Sequence, residues 1–227
     1  MLFSSIPFLY YFLPSVLILY FIVPKKLKNT VLLISSLIFY GWGEPEYVIL
    51  MIASIVIGYI SGILIEAFSQ KKTSKIILAL SVAINLGFLG YFKYTDFFID
   101  NFNAATGMDL PLLRIALPIG ISFYTFQIIS YTIDVYRGDV CAQKNIVNLA
   151  SYIAMFPQLI AGPIVRYSDI ATQLEKREHS IEKFSLGARR FILGLGKKIL
   201  IANTLGEFCD IFKLSQDKSV VFYWFYA

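Results

Sequence analysis

The chain has 227 residues, of which 57% are hydrophobic and 15% charged, with 20 Lys+Arg against 15 Asp+Glu for a net charge of +5. Soluble domains carry about a quarter charged residues. A core of this size could not hide so much apolar surface, which argues against a freely soluble protein and makes lipid the natural solvent. The cations sit in short clusters between apolar runs, a pattern that encodes membrane topology and argues against a nucleic-acid partner.

A hydrocarbon core about 30 Å thick takes about 20 apolar residues of helix. Ile6–Val23 meets that need and ends at Lys25, Lys26 and Lys28. It lacks a basic leader and a small-residue cleavage site, so it reads as a retained first helix. Thr30–Tyr40 is apolar but short, and runs into the turn Gly41-Trp42-Gly43-Glu44-Pro45. Tyr47–Phe68 is long enough to span and ends at Lys71, Lys72 and Lys75; Ile76–Phe92 follows, interrupted by Asn85. Placing both lysine clusters in the cytoplasm puts the N-terminus and the Trp42 turn outside. The segment Asp96 to Asp109, free of Lys and Arg, then reads as an external loop.

Leu112–Val135 is mostly apolar yet contains Arg114, Pro118, Gly120, Gln127 and Asp134. Ile146–Val165 contains Gln158 and the breakers Pro157, Gly162 and Pro163. If both crossed the membrane, the basic stretch from Arg166 to Lys198 would lie outside. A segment Ile146–Val165 that dips in and turns back keeps that stretch in the cytoplasm, and broken backbone at such depth belongs beside a cavity. From Ile181, apolar Phe184, Ala188, Phe191 and Leu195 oppose Glu182, Lys183, Arg189 and Arg190, the pattern of an amphipathic helix on the cytoplasmic surface. Val220–Ala227 opens a new apolar run. The expectation is one membrane domain over residues 1–227, all-α and polytopic with spanning, re-entrant and interfacial helices, the N-terminal part of a longer protein.

Ser54, Gly58 and Gly62 share one face of the third helix, a spacing that lets helices approach closely in lipid. Packing within the protein is the preferred reading. Gly194-Leu-Gly-Lys-Lys lacks the third glycine and the Ser or Thr of a phosphate loop, since Ile199 stands there. Cys141 and Cys209 are too few and too far apart for a metal site or a disulfide framework and read as unpaired thiols. His179 is the single histidine. Its neighbours Glu175, Lys176, Arg177 and Glu178 describe a solvated segment with no dry pocket for a base.

Polar groups inside apolar runs are costly and therefore informative. Gln127 and Asp134 lie two turns apart on one face, with Tyr124 and Tyr131 on the same stripe. Asp134 reads equally as an interfacial acid beside Arg137. Gln158 lies where the break frees backbone amides, and serves either a cavity or that backbone. Arg166 follows the break and suits a phosphate or carboxylate of an anionic donor, or anchors the loop at the interface.

These segments resemble the membrane-bound O-acyltransferase family, in its alginate O-acetyltransferase membrane-subunit branch. The resembling stretches are Met1-Leu-Phe-Ser-Ser, Leu37-Ile-Phe-Tyr-Gly-Trp-Gly-Glu-Pro45 and Tyr91-Phe-Lys-Tyr-Thr-Asp-Phe97, then Leu117 through Gln127 and Asp134-Val-Tyr-Arg-Gly138. Phe156-Pro-Gln-Leu-Ile-Ala-Gly-Pro-Ile-Val-Arg166 and Lys197-Lys-Ile-Leu-Ile-Ala-Asn203 complete the set. The resemblance implies a multi-helix fold with a tunnel through its thickness, an acyl donor such as acetyl-CoA and no bound cofactor or metal. It also implies an extracytoplasmic hydrolase-like acetyltransferase as partner, acting on a polysaccharide acceptor. The family's catalytic His would lie beyond Ala227, so no catalytic residue is assigned; Tyr124, Gln127, Asp134, Gln158 and Arg166 are the tunnel candidates. The alternative reading is a transporter or exporter of a lipid-linked or small anionic substrate, which also uses broken helices around buried polar groups.

Overall fold

The computed structural model describes residues 3–159, 162–214 and 224. Among them all regular structure is helical, as the composition and periodicity lead one to expect. Two compact units form, Leu13–Arg177 and Leu2–Phe12 with Glu178–Ala227.

The larger unit contains most of helix α1 (Pro7–Ile22), then α2 (Lys28–Gly43) and α3 (Val48–Ala67). Next come α4 (Lys72–Thr106) and α5 (Ile121–Arg137). Two short helices, α6 (Ile146–Ala154) and α7 (Phe156–Leu159), precede α8 (Tyr167–Glu175). Helix α3 packs on α5 and α4, α4 on α5, and α2 on α6. The core runs along α3 and α5 through Met51, Ile55, Ile65, Tyr124, Ile128 and Tyr131, and continues into α6 at Leu149, Tyr152 and Ile153.

Pro24 closes α1 and Pro45 opens the turn that feeds α3, so the helix boundaries follow the punctuation of the sequence. Two helices are long and apolar enough to cross a bilayer, Pro45–Ala67 and Lys72–Thr106. Only 17% of the apolar window of α4 is buried within the protein, so this is no core helix of a soluble fold.

Three boundaries differ from the sequence reading. Helix α4 does not stop near Phe92; it continues for 35 residues, about 52 Å, to Thr106. Asp96 to Asp109 is therefore mostly helix rather than loop, because nothing in it breaks a helix before Gly107, whose φ of +72° ends the run. Thr30–Tyr40 belongs to a helix of 16 residues, about 24 Å long. Leu112 to Pro118 is non-helical, and α5 begins only after Gly120.

The segment after Asn145 is broken as expected, into helices of 9 and 4 residues. Neither is long enough to cross hydrocarbon.

In the smaller unit, Ser180 caps α9 (Ile181–Gly196) by accepting the Lys183 N–H at 3.1 Å. A wide turn at Lys197–Asn203 leads on to α10 (Thr204–Leu214). The expected amphipathic helix from Ile181 is present.

Candidate functional site

Helix α5 carries the polar stripe. Tyr124, Gln127, Tyr131 and Asp134 are 1, 2, 0 and 3% exposed. They reach the core because α3 presents almost no side chain there. A Cβ on Gly58 would lie 2.6 Å from Ile128 Cγ2, and one on Gly62 would lie 2.7 Å from the Tyr131 hydroxyl. The small-residue spacing thus serves packing inside the chain, with α5 seated directly on the α3 backbone.

At the Arg137 end of α5, the loop 139–144 is fastened from several sides. Tyr59 Oη donates to the Lys144 carbonyl at 2.7 Å, and a Glu66 carboxylate oxygen accepts the Ala142 N–H at 3.0 Å. Tyr131 Oη accepts the Gln143 N–H at 2.9 Å, while Gln143 Nε2 donates to Tyr167 Oη at 2.8 Å. Tyr167 stands edge-on to Tyr131 and Tyr152, with ring centroids 5.1 and 5.4 Å apart. Burial pushes the Tyr167 phenol above its ordinary pKa, opposed by the Gln143 hydrogen bond, so it stays a neutral donor at physiological pH. This loop and α8 line an open cleft of about 610 Å³, with Gln143 and Tyr167 among its walls and Cys141 on its lip. Cys141 and Cys209 are free thiols.

Several buried oxygens of the bundle have no protein partner among the described residues: Tyr40 Oη, Ser81 Oγ, Asn85 Oδ1, Tyr124 Oη, Gln127 Oε1 and Asp134 Oδ2. Each such atom left dry costs about 1–3 kcal/mol. Summed over the group, that rivals the roughly 5–15 kcal/mol by which a whole domain is stable. Glu44 Oε2 accepts the Ile119 N–H at 2.8 Å, which sets its carboxylate at the start of α5, one turn before Tyr124. Tyr124, Gln127 and Asp134 share one buried stripe of α5 by their spacing and burial. Further orphan oxygens lie on Tyr40 of α2 and on Ser81 and Asn85 of α4, a helix packed on α5; the sequence reading did not count them among the site candidates. Asn85 alone gave a signal, as the single interruption of an apolar run.

Gln158 has a different place. The break at Met155 sends the Phe156 N–H to Ser36 Oγ, 3.2 Å away, instead of to the Tyr152 carbonyl that would accept it in an unbroken helix. Gln158 Nε2 takes that carbonyl at 2.9 Å. Of the two roles open to Gln158, satisfying freed backbone is the one the geometry displays. Gly120, at φ +76°, allows α5 to start against this segment, since a Cβ there would lie 2.8 Å from the Leu159 carbonyl oxygen. Arg166 is exposed and leads into α8 with extended backbone; it does not join the stripe. His179 is exposed. The described residues contain no cluster of three His, Cys, Asp or Glu that could hold a metal.

Sequence reasoning missed Asn29. Its Nδ2 donates to Asn148 Oδ1 at 2.7 Å and to the Leu174 carbonyl at 2.9 Å, and its carbonyl accepts Ser151 Oγ at 2.8 Å. One residue thereby ties α2 to α6 and α8.

Residues 141–227 match the family described as MBOAT, the membrane-bound O-acyltransferase family. The chain is 46% identical over 215 residues to a probable alginate O-acetylase of Pseudomonas syringae pv. tomato, covering 92% of this chain and 42% of that protein. A probable alginate O-acetylase of Pseudomonas aeruginosa is 43% identical over 215 residues, with 92% and 41% covered. A peptidoglycan O-acetyltransferase of Helicobacter pylori is 31% identical over 242 residues, with 92% and 46% covered. The chain thus spans less than half the length of these curated relatives. No solved structure matches. The second part of the chain thus carries the profile of the membrane-bound O-acyltransferase family, and nearly all of its length is similar to curated O-acetylases.

Proposed function

We propose that the full-length protein is the membrane subunit of an O-acetyltransferase system in the bacterial plasma membrane, crossing it several times. It takes an acetyl group from a cytoplasmic donor such as acetyl-CoA and passes it outward. An extracytoplasmic hydrolase-like transferase then esterifies the hydroxyls of an envelope polysaccharide. Kinship with proteins named alginate O-acetylases, at 43 to 46% identity, favours an alginate-like acceptor over peptidoglycan.

The observation that carries this reading is the buried polar stripe of Tyr124, Gln127 and Asp134 inside an apolar bundle. Polar groups at that depth earn retention by serving a path or a reaction. The break at Met155 and the irregular backbone of residues 162–166 are of the kind that surrounds such paths. The test uses inside-out vesicles holding the full-length protein, with the partner transferase and polysaccharide enclosed and labelled acetyl donor added at the cytoplasmic face. Labelled ester should appear on the enclosed polysaccharide. Uptake of intact label with no new ester would identify a transporter and overturn the proposal.

A further inference from the structure

Carrying an acyl group across a membrane from thiol to hydroxyl leaves a proton to be moved the other way. In RC(O)–SR′ + R″OH → RC(O)–OR″ + R′SH, a C–S bond breaks, a C–O bond forms, and the hydroxyl proton ends on the thiol. With the acceptor outside and the donor inside, as proposed above, the exchange is electroneutral when one proton travels inward for each acyl group that travels outward.

The α5 stripe has the form of a route for it. Tyr124, Gln127, Tyr131 and Asp134 follow one another at three- or four-residue steps, so successive groups rise about 4.5–6 Å along the helix, a gap that one or two waters bridge. Four oxygens around this line, on Tyr40, Tyr124, Gln127 and Asp134, lack a protein partner among the described residues. The Tyr131 hydroxyl accepts the Gln143 N–H, which leaves its own proton to donate. Asn85 and Ser81 add orphan oxygens from α4, a helix packed on α5. At each end of the stripe lies a group that reaches the surface. At the start of α5 stands half-buried Glu44, whose Oε2 accepts the Ile119 N–H at 2.8 Å. Below Asp134, whose carbonyl accepts the Asp139 N–H at 2.9 Å, lies the open cleft lined by Asp139 and Tyr167.

We propose that this stripe holds a file of internal water running from Glu44 past Tyr124, Gln127 and Tyr131 to Asp134, and that the file returns the proton of acyl transfer. Buried oxygens in apolar surroundings are commonly satisfied by ordered water, and linked donors and acceptors of this kind relay protons. The proton role rests on the proposed acyl transfer; the water file does not.

Two measurements on the full-length protein in lipid nanodiscs keep these apart. The first is radiolytic hydroxyl-radical labelling, in which bound water oxidises the side chains it touches. Tyr124 and Tyr131 should label faster than Met51, which is equally buried and serves as the dry reference. Labelling of both tyrosines no faster than Met51 overturns the water file, whatever the protein's activity. The second is acetyl transfer by Gln127→Leu at matched membrane level, where a lost proton relay lowers the rate by on the order of a hundredfold. Wet tyrosines with unchanged transfer by Gln127→Leu overturn the proton role. Wet tyrosines in a wild-type protein that transfers no acetyl group refute the acyl-transfer reading and the proton role together, and leave the water file standing.

Discussion

Gln158 and Arg166 flank Gly162 and Pro163 in the sequence, and each calls for its own experiment. The Gln158 amide replaces a missing helical bond to the Tyr152 carbonyl, so Gln158→Ala should cost about 0.5–1.5 kcal/mol of stability. Thermal unfolding in detergent reads this, and donor dependence should stay that of the wild type. Arg166 is exposed, so Arg166→Ala should keep its unfolding temperature. If Arg166 holds an anionic donor, the variant raises the donor KM of the full-length protein, and Arg166→Lys restores only part of the loss because it lacks the planar fork. An unchanged KM would leave Arg166 an anchor. The sequence could name both residues as out of place in an apolar run. It could not say which had a backbone partner, because that partner exists only through the diversion of the Phe156 N–H to Ser36, 120 residues away in sequence.

At the scale of elements, the contact of α3 with α5 is the most exacting. Gly62→Ala drives a Cβ into the Tyr131 ring and hydroxyl and should destabilise by about 1–3 kcal/mol. Gly87→Ala on α4 meets nothing within 4 Å and should be neutral or stabilise by up to about 1 kcal/mol. Unfolding of the two variants side by side checks the pair; equal effects would refute the packing argument. Helix α4 offers a second contrast. Asp100→Pro falls inside it and should cost about 3 kcal/mol, whereas Asp109→Pro, past Gly107, should be tolerated. The small-residue face of α3 and the break after α6 were legible because glycine and proline mark them locally. The continuation of α4 was not, since Lys93, Asp96 and Asp100 look like a loop until one sees that no breaker accompanies them. The stripe on α5 was legible from its period, whereas the burial of the Tyr40 and Ser81 oxygens depends on helices that meet only after folding.

At the scale of the whole molecule, the charge pattern sets an orientation open to test. With Cys141 and Cys209 replaced by serine, single cysteines at positions 72 and 183 should resist a membrane-impermeant thiol reagent applied to intact cells and react once the cells are opened. Labelling of either from outside would reverse the assignment of sides. The length of α4 bears on what surrounds it. At about 52 Å, even a tilt of about 40° leaves it some 40 Å tall, against a hydrocarbon thickness of about 30 Å. The bilayer therefore cannot swallow this helix. Its polar final turns emerge as a post, and Asp96 and Asn103 moor the following chain to it by accepting the Leu113 and Leu110 N–H groups. With α4 crossing the bilayer, a protein that gripped this post would be held at a fixed standoff from the membrane surface, and α4 would be the ruler that sets its height.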